Sequence, residues 1–569
     1  MAELPFYDAL DNTPEVLWRL GYFKPYYAPL SAPSTHLALW QASMEAYLLA
    51  SLYPLEVKKP FTRVRFDQSS RRTQLLTVDH AQQFSPRAGL RGIYQRRTRS
   101  GEYLGQTTDH YSAGLLIYGE TRGDTSSRLR LYGLAQALWN QLYDELNGGS
   151  LFDPAEGLEA AFQKESQPVR FVDGQWRFWY RLVRAEGGLV WGRRGTEQAI
   201  GFQAQVRQTY GGWRSGPARK PTSPFGTDSS STTTFAFGEE QRLGLQTTLP
   251  HASVSLYLLR WWGRGTDWQP FNQKALVVEG HLSPFTSGTR YVPTLAFFYR
   301  YWVSPQSPAP ELSASFRMES KRSTPFLSAA HLQYSRVALP WFFYQAYPFL
   351  QPRNPESILA SYSISWAGIR KDTLGRHENP AHFSQRSPLS MQVWIMRQRW
   401  PLLIRYAQVY QAEAPIFWYG LRLTGYWEGR RTGLYPGLLF QQSLAADTLR
   451  WWTRQVPPLM GWVQVHYRWQ IPPFQPSYRL GVRLRGSAAH HPPQFEPTYV
   501  LFFAADDTPL QSPWAAIDIF LTIHLRQVCI YLRVDQAAEG LFQPGSFWTY
   551  PYPVPGRAFS FGFVWDVYN

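Results

Sequence analysis

Along most of this chain apolar and polar residues alternate with a period of two. Tyr478, Leu480, Val482 and Leu484 interleave with Arg479, Gly481, Arg483 and Arg485. Leu521, Ile523 and Leu525 alternate with Thr522, His524 and Arg526, and Val528, Ile530, Leu532 and Val534 with Cys529, Tyr531, Arg533 and Asp535. Trp176, Phe178, Tyr180 and Leu182 stand against Arg177, Trp179 and Arg181. Successive side chains of an extended strand point to opposite faces, so each stretch predicts a strand with one greasy and one polar face. The same grammar recurs around 312–319, 362–366, 421–428 and 463–469. In the final stretch Phe559, Phe561, Phe563 and Trp565 oppose Ser560, Gly562 and Asp566. An aromatic-faced strand at the end of such a chain has the form of the closing strand of an outer-membrane β-barrel, its aromatic side turned to lipid.

Composition narrows the choice. Trp, Tyr and Phe make up 16% of the residues, yet mean hydropathy is negative, so apolar groups are interleaved rather than gathered into runs. The longest nearly apolar stretch, 337–350, is too short to span a bilayer as a helix and contains Pro340 and Pro348. Alternation alone also suits a soluble sandwich. The Arg-, Gln- and His-rich polar face, the Trp and Tyr near strand ends and the absence of a composition break favour one large sheet. The expected fold is therefore all-β, a single large antiparallel transmembrane barrel of about 18 strands (roughly 16–20) with long extracellular loops, each strand needing about 9–11 residues. Polar stretches near Gly192 and over 212–234, 370–388 and 486–497 read as those loops, and Arg526-Gln527 as a periplasmic turn. Residues 58–569 would form the barrel. Residues 1–57, with helical spacing of Leu37, Trp40, Met44, Tyr47 and Leu48, read as a periplasmic or lumen-inserted segment, or as irregular first strands. Asp153 and Pro154 start a short helix signal. The stretch 129–143, which also fits helical spacing, is taken as a strand.

The net charge is +16, and only 8 of the 57 basic residues are lysine. Arginine with abundant rings can serve nucleic-acid binding, but here it is spread at alternate strand positions without a basic run, so nucleic acid is not an expected partner. The expected lumen-lining set is Arg177, Arg181, Arg479, Arg483, Arg485, Arg526 and Arg533. Such a wall favours anions in transit; in the competing reading the arginines pair with carboxylates such as Asp535, Glu319 or Glu428 and brace the wall. The single cysteine, Cys529, excludes an intrachain disulfide. The segment after Met1 lacks the basic start and apolar core of a signal peptide, so the chain reads as mature or as a misassigned start. HExxH, Gly-x-Ser-x-Gly, phosphate-loop and GxGxxG patterns are absent. His490-His491 and Asp506-Asp507 sit in turn-like contexts that favour solvated loops over a metal site. No enzyme activity, cofactor or metal is expected.

Two regions carry a resemblance. Over Lys59 to Gln106 a Pro-aromatic-Thr strand is followed by Asp79-His80-Ala81-Gln82 and a Gly101-x-Tyr103-x-x-Gln106 turn. Near the end come AIDIFLTIHLRQVCIYLRVDQ and YPYPVPGRAFSFGFVW, with Pro551, Pro553, Pro555, Gly556 and Arg557. In these the chain resembles the putative porin family of Gram-negative outer membranes. The resemblance implies a barrel, outer-membrane placement and passive transport, without naming a solute. The first functional reading is a porin-like channel for small polar solutes with anion preference. The alternatives are a non-conducting or plugged barrel serving as scaffold, receptor or hydrophobic-solute transporter, and a soluble aromatic-rich glycan-binding β protein. Expected partners are outer-membrane lipid, barrel-assembly machinery and small solutes, with a second copy of the chain or accessory outer-membrane proteins left open.

Overall fold

The computed structural model describes residues 52–55, 57, 59–70, 74–99, 107–121, 129–145, 175–191, 198–214, 232–249, 252–265, 271–283, 291–303, 310–320, 326–336, 356–366, 389–399, 402–405, 408–411, 414–429, 431–446, 449–455, 457–471, 476–492, 494–496, 501–503, 510, 513–538, 547–549, 552–553 and 557–568. Most of 1–57, the Asp153 helix signal and Asp506-Asp507 lie outside them.

Among the described residues, twenty-three strand segments join in one sheet. Two of these, Ile416–Gly425 and Trp427–Glu428, pair with successive stretches of Thr432–Leu444 and make one strand broken at Tyr426, leaving twenty-two. In chain order they are Phe61–Ser69, Gln74–Ser85, Ala88–Arg99, Thr108–Glu120, Leu129–Glu145, Gln175–Trp191, Gln198–Arg214, Thr232–Leu249, Ala252–Gly265, Phe271–Leu282, Tyr291–Trp302, Glu311–Ser320, Phe326–Arg336, Glu356–Trp366, Leu389–Arg399, Ile416–Gly425, Thr432–Leu444, Leu459–Gln470, Ser477–Ser487, Trp514–Leu525, Val528–Asp535 and Ala558–Tyr568. Each pairs antiparallel with its sequence neighbour, and the first pairs with the last from Phe61↔Tyr568 to Ser69↔Ser560. Closure matters physically because an open edge in hydrocarbon leaves N–H and C=O groups unpaired at several kcal/mol each.

The number differs from the expected 18. The cause lies in the turns: Pro86-Arg87, 250–251 and Arg526-Gln527 are all that separate neighbouring strands, so hairpin arms run together in a pattern reading that relies on polar intervals. The ambiguous stretch 129–143 is a strand.

Strict up-and-down connectivity assigns every connection to one of two rims. The two-residue turns, Phe61 and Tyr568 share one rim; 146–174, 215–231, 337–355, 488–513 and 536–557 all fall on the other. Short turns are periplasmic and long connections extracellular in such barrels. Two expected loops are thereby corrected. The intervals 192–197 and 367–388 lie on the rim of the short turns, because strand parity, not loop length, fixes the side.

Register also assigns the faces. Leu480, Val482 and Leu484 are exposed on the outside, while Arg483, Arg485 and Asp518 are buried on the inside. Phe559, Phe561 and Trp565 are exposed on the outer face of the closing strand, and Phe563 packs against the outward Phe66. Inside, Phe520, Cys529 and Tyr531 form a small apolar cluster. Two glycines are required there by close approach: a Cβ at Gly481 would run into the Phe520 ring, and one at Gly562 into Tyr531 and the Phe66 carbonyl.

Candidate functional site

The inner wall between Leu459 and Tyr568, continuing through the seam to Arg99, carries most of the closely paired charge described. At the seam Arg63 donates from Nε to Asp566 Oδ1 at 2.7 Å and from Nη2 to Oδ2 at 3.1 Å, tying the first strand to the last. Arg91 holds Asp79 in the same bidentate way at 2.9 and 2.8 Å. Arg65 pairs with Asp67 at 2.7 Å and Arg533 with Asp535 at 2.8 Å. Fork-to-fork geometry makes such pairs stronger than a point contact.

Toward the extracellular rim the balance tips positive. Asp518, only 1% exposed, faces two arginines: Arg483 Nε at 3.3 Å and Arg485 Nε at 3.2 Å. Arg485 Nη2 donates to Asp518 Oδ1 at 3.3 Å, and the Gln536 N–H donates to the same oxygen at 3.0 Å. Gln536 has φ 49°, the left-handed conformation that turns its N–H inward just past the strand end. One carboxylate thus serves two guanidinium groups. Arg485 Nη1 is buried without a hydrogen-bond partner among the described residues. A buried donor of that kind is costly unless something accepts from it. An anionic group at the wall supplies such an acceptor.

Arg479, Arg483, Arg485 and Arg533 stand on the inner face, brought together by adjacent strands. Arg526 sits in the turn itself and is exposed. Arg177 and Arg181 are corrected: register puts them on the outer face with exposed Trp179 and Val183, whereas Leu182 and Arg184 point inward. The physical reason is register: Arg177 and Arg181 stand opposite Tyr143 and Trp139 of the neighbouring strand, on the face where Trp139 is exposed. Of the carboxylates weighed as braces, Asp535 pairs with Arg533 and Glu319 with Arg317. Asp518 was missed. A lone acid inside the greasy run AAIDIFL is its one sequence signal, and the register of the Arg526-Gln527 hairpin sets it on the polar face.

A second arrangement lies at the periplasmic end of the lumen. The Val57 N–H donates to Gln83 Oε1 at 3.1 Å, Tyr118 Oη donates to the Leu55 carbonyl at 3.2 Å, and Arg91 Nη1 donates to the Tyr53 carbonyl at 3.2 Å. Gln83, Tyr118 and Arg91 are all inner-face residues. The chain before the first strand therefore runs along the inside of the wall, and Leu52 is buried.

His490, in the connection beyond Ser487, is buried with Nδ1–H directed at the Ala488 carbonyl at 3.1 Å. Burial lowers its pKa to about 4. No group of three or more metal-ligating side chains occurs among the described residues.

Residues 311–569 match the family model described as Putative porin. The chain is an outer-membrane β-barrel. The C-terminal half of the resemblance read from sequence lies within the matched span, and 59–106 lies outside it. No curated protein matches the sequence. The fold is similar to that of several solved barrels. The ferric-catecholate import receptor Fiu from K12 E. coli aligns with TM-score 0.62 at 10% identity, over 91% of this chain and 83% of that one. The ferripyoverdine receptor of the Pseudomonas aeruginosa outer membrane gives 0.60 at 10%, over 91% and 72%. The siderophore receptor PiuA from Acinetobacter baumannii gives 0.57 at 10%, over 91% and 82%. At such identities the likeness is one of fold.

Proposed function

We propose that this outer-membrane barrel is a plugged, receptor-type importer of an anionic small solute, with residues 1–57 as its plug. The observation that carries the reading is the path of 53–57 along the inner wall, held by Gln83, Tyr118 and Arg91. Barrels of 22 strands are wide enough to need a plug, while open porins have 16–18. Composition supports the same arrangement: Glu3, Asp8, Asp11, Glu15, Glu45 and Glu56 outnumber Arg19 and Lys24 in this segment, against a strongly basic whole. An acidic plug complements an arginine wall. Three barrels of similar fold are described as receptors, two of them for siderophores or ferric catecholates, which favours import over passive diffusion.

The test is conductance in a planar bilayer. The intact chain should be closed, and deletion of residues 2–57 should open large, salt-dependent channels. An intact protein that already conducts steadily would overturn the plug and return the first reading, a passive channel with anion preference. The family description supports that second reading, and a reversal potential under a salt gradient would give its sign.

A further inference from the structure

Lipid-facing strand surfaces usually carry few charges, because an unpaired basic group in hydrocarbon costs roughly 2–4 kcal/mol at the midplane and little at the interface. Here the outward-facing basic side chains are distributed unequally. Arg177, Arg181, Arg260, Lys274 and Arg397 all lie in the half of their strands nearer the long-loop rim. The outward positions of the other half carry no Lys or Arg among the described side chains and read Ile117, Ile200, Leu256, Leu282 and Val393, all exposed. A merely soluble surface would not sort charge by leaflet.

The sorted arginines are also seated on rings. The Arg181 guanidinium lies 4.0 Å from the Trp139 ring centre and 5.7 Å from that of Trp179, and Arg177 lies 5.4 Å from Tyr143. Stacking fixes the guanidinium plane and leaves its edge N–H groups directed outward. Arg177 is exposed on the outer face, and Arg181 is half-buried beside it. Tryptophan at this level marks the membrane interface. The acceptor that an edge-on guanidinium at that depth encounters is a phosphate.

We infer that Arg177 and Arg181, with the Trp139–Trp179–Tyr143 platform, bind the phosphate of an outer-leaflet lipid headgroup. Arg260, Lys274 and Arg397 continue the belt around the barrel. The site is separate from the lumen and independent of whether the pore is plugged.

Native mass spectrometry of the full chain in detergent tests this with three probes: a phosphorylated glycolipid, the same glycolipid with its phosphates removed, and inorganic phosphate. The phosphorylated lipid should stay bound and its dephosphorylated form should not. R177Q/R181Q should weaken retention by roughly fivefold for each guanidinium removed, from about 1 kcal/mol per basic residue at a charged membrane surface. R177K/R181K, which keeps the charge but loses the stacked fork, should fall between the unaltered chain and the glutamine pair. Heat-modifiable gel mobility establishes that each variant is a closed barrel. Equal retention of both lipids by the unaltered chain, unchanged retention by the glutamine pair, or displacement by millimolar inorganic phosphate would overturn the assignment, the last by showing a free-anion site.

Discussion

On the inner faces of the strands from Ser477 to Tyr568 and from Phe61 to Ser85, arginine is set against aspartate, as at Arg483, Arg485 and Asp518 or Arg63 and Asp566. Roughly half the circumference away in strand order, the inner faces of Glu311–Ser320, Phe326–Arg336, Glu356–Trp366 and Leu389–Arg399 carry mainly neutral groups, Ser313, Ser315, Gln333, Ser361, Ser363, Ser365, Ser390 and Gln392, with the self-neutralising pair Arg317–Glu319 at the short-turn end. Both walls satisfy the same alternation and bury the same backbone ladder. They differ in what holds their side chains in place. A hydroxyl or amide facing a lumen exchanges protein for water with little net change, whereas two guanidinium groups sharing one buried carboxylate leave an uncompensated charge if that carboxylate goes. The charged wall is therefore the committed one: rigid, positively biased and able to select an anion. The neutral wall is a spacer.

The largest effect that this contrast predicts is at Asp518. Asp518→Asn keeps the shape but removes the buried carboxylate that Arg483 and Arg485 share, and should cost about 3–5 kcal/mol, read as a lower temperature for loss of heat-modifiable mobility. A drop of only a degree or so would mean that the charged wall is as loosely held as the neutral one.

Next comes the pH response of the connection that follows the charged wall. His490 has a folded pKa of about 4, below the ordinary 6.5, because it is buried. A depressed folded value means that its contribution to stability is fully present above about 6.5 and is lost as pH falls toward 4, on the order of 3 kcal/mol at the acid end. Hydrogen exchange of 488–492 should therefore accelerate through that window, and His490→Gln should flatten the response. Persistence of the pH response in that variant would exclude His490 as its source.

At the seam, Arg63 and Asp566 are partly exposed, so solvent screens them. Asp566→Asn should cost about 1–2 kcal/mol, less than Asp518→Asn, since a partly solvated pair is worth less than a buried one. Comparing the two variants under identical detergent conditions gives the gradient of burial along one wall. An inverted order would break it.

Much of this was legible before the fold. Alternation gave strands, the sides of the closing strand and the inward Arg479, Arg483, Arg485 and Arg533, because strand faces follow parity alone. What failed depends on geometry that parity does not contain. Turns as short as Pro86-Arg87 hide a boundary, so strands were undercounted. Arg177 and Arg181 were put inside because Trp176, Phe178 and Tyr180 form the greasier register; their face is set by pairing with the outward Tyr143 and Trp139, which greasiness within one strand does not contain. The partners of Asp518 lie across the interval 488–513, and nothing local announces them. The path of 53–57 along Gln83, Tyr118 and Arg91 is likewise a contact between segments, invisible to periodicity.

The smallest predicted effect is the sharpest control on the two-wall contrast. Ser365 Oγ and Ser390 Oγ are 3.1 Å apart on adjacent strands of the neutral wall, and Ser363 Oγ donates to the Ala329 carbonyl at 3.4 Å. Ser365→Ala removes a neutral hydrogen bond whose surviving partner can turn to lumen water, so stability should change by about 0.5–1 kcal/mol or less. Ion selectivity of the plug-deleted channel should not move, because no charge has changed, whereas Arg485→Gln in the same background should shift the reversal potential toward cations. If Ser365→Ala moved the reversal potential as far as Arg485→Gln, permeation would be governed by lumen width and not by the arginine wall.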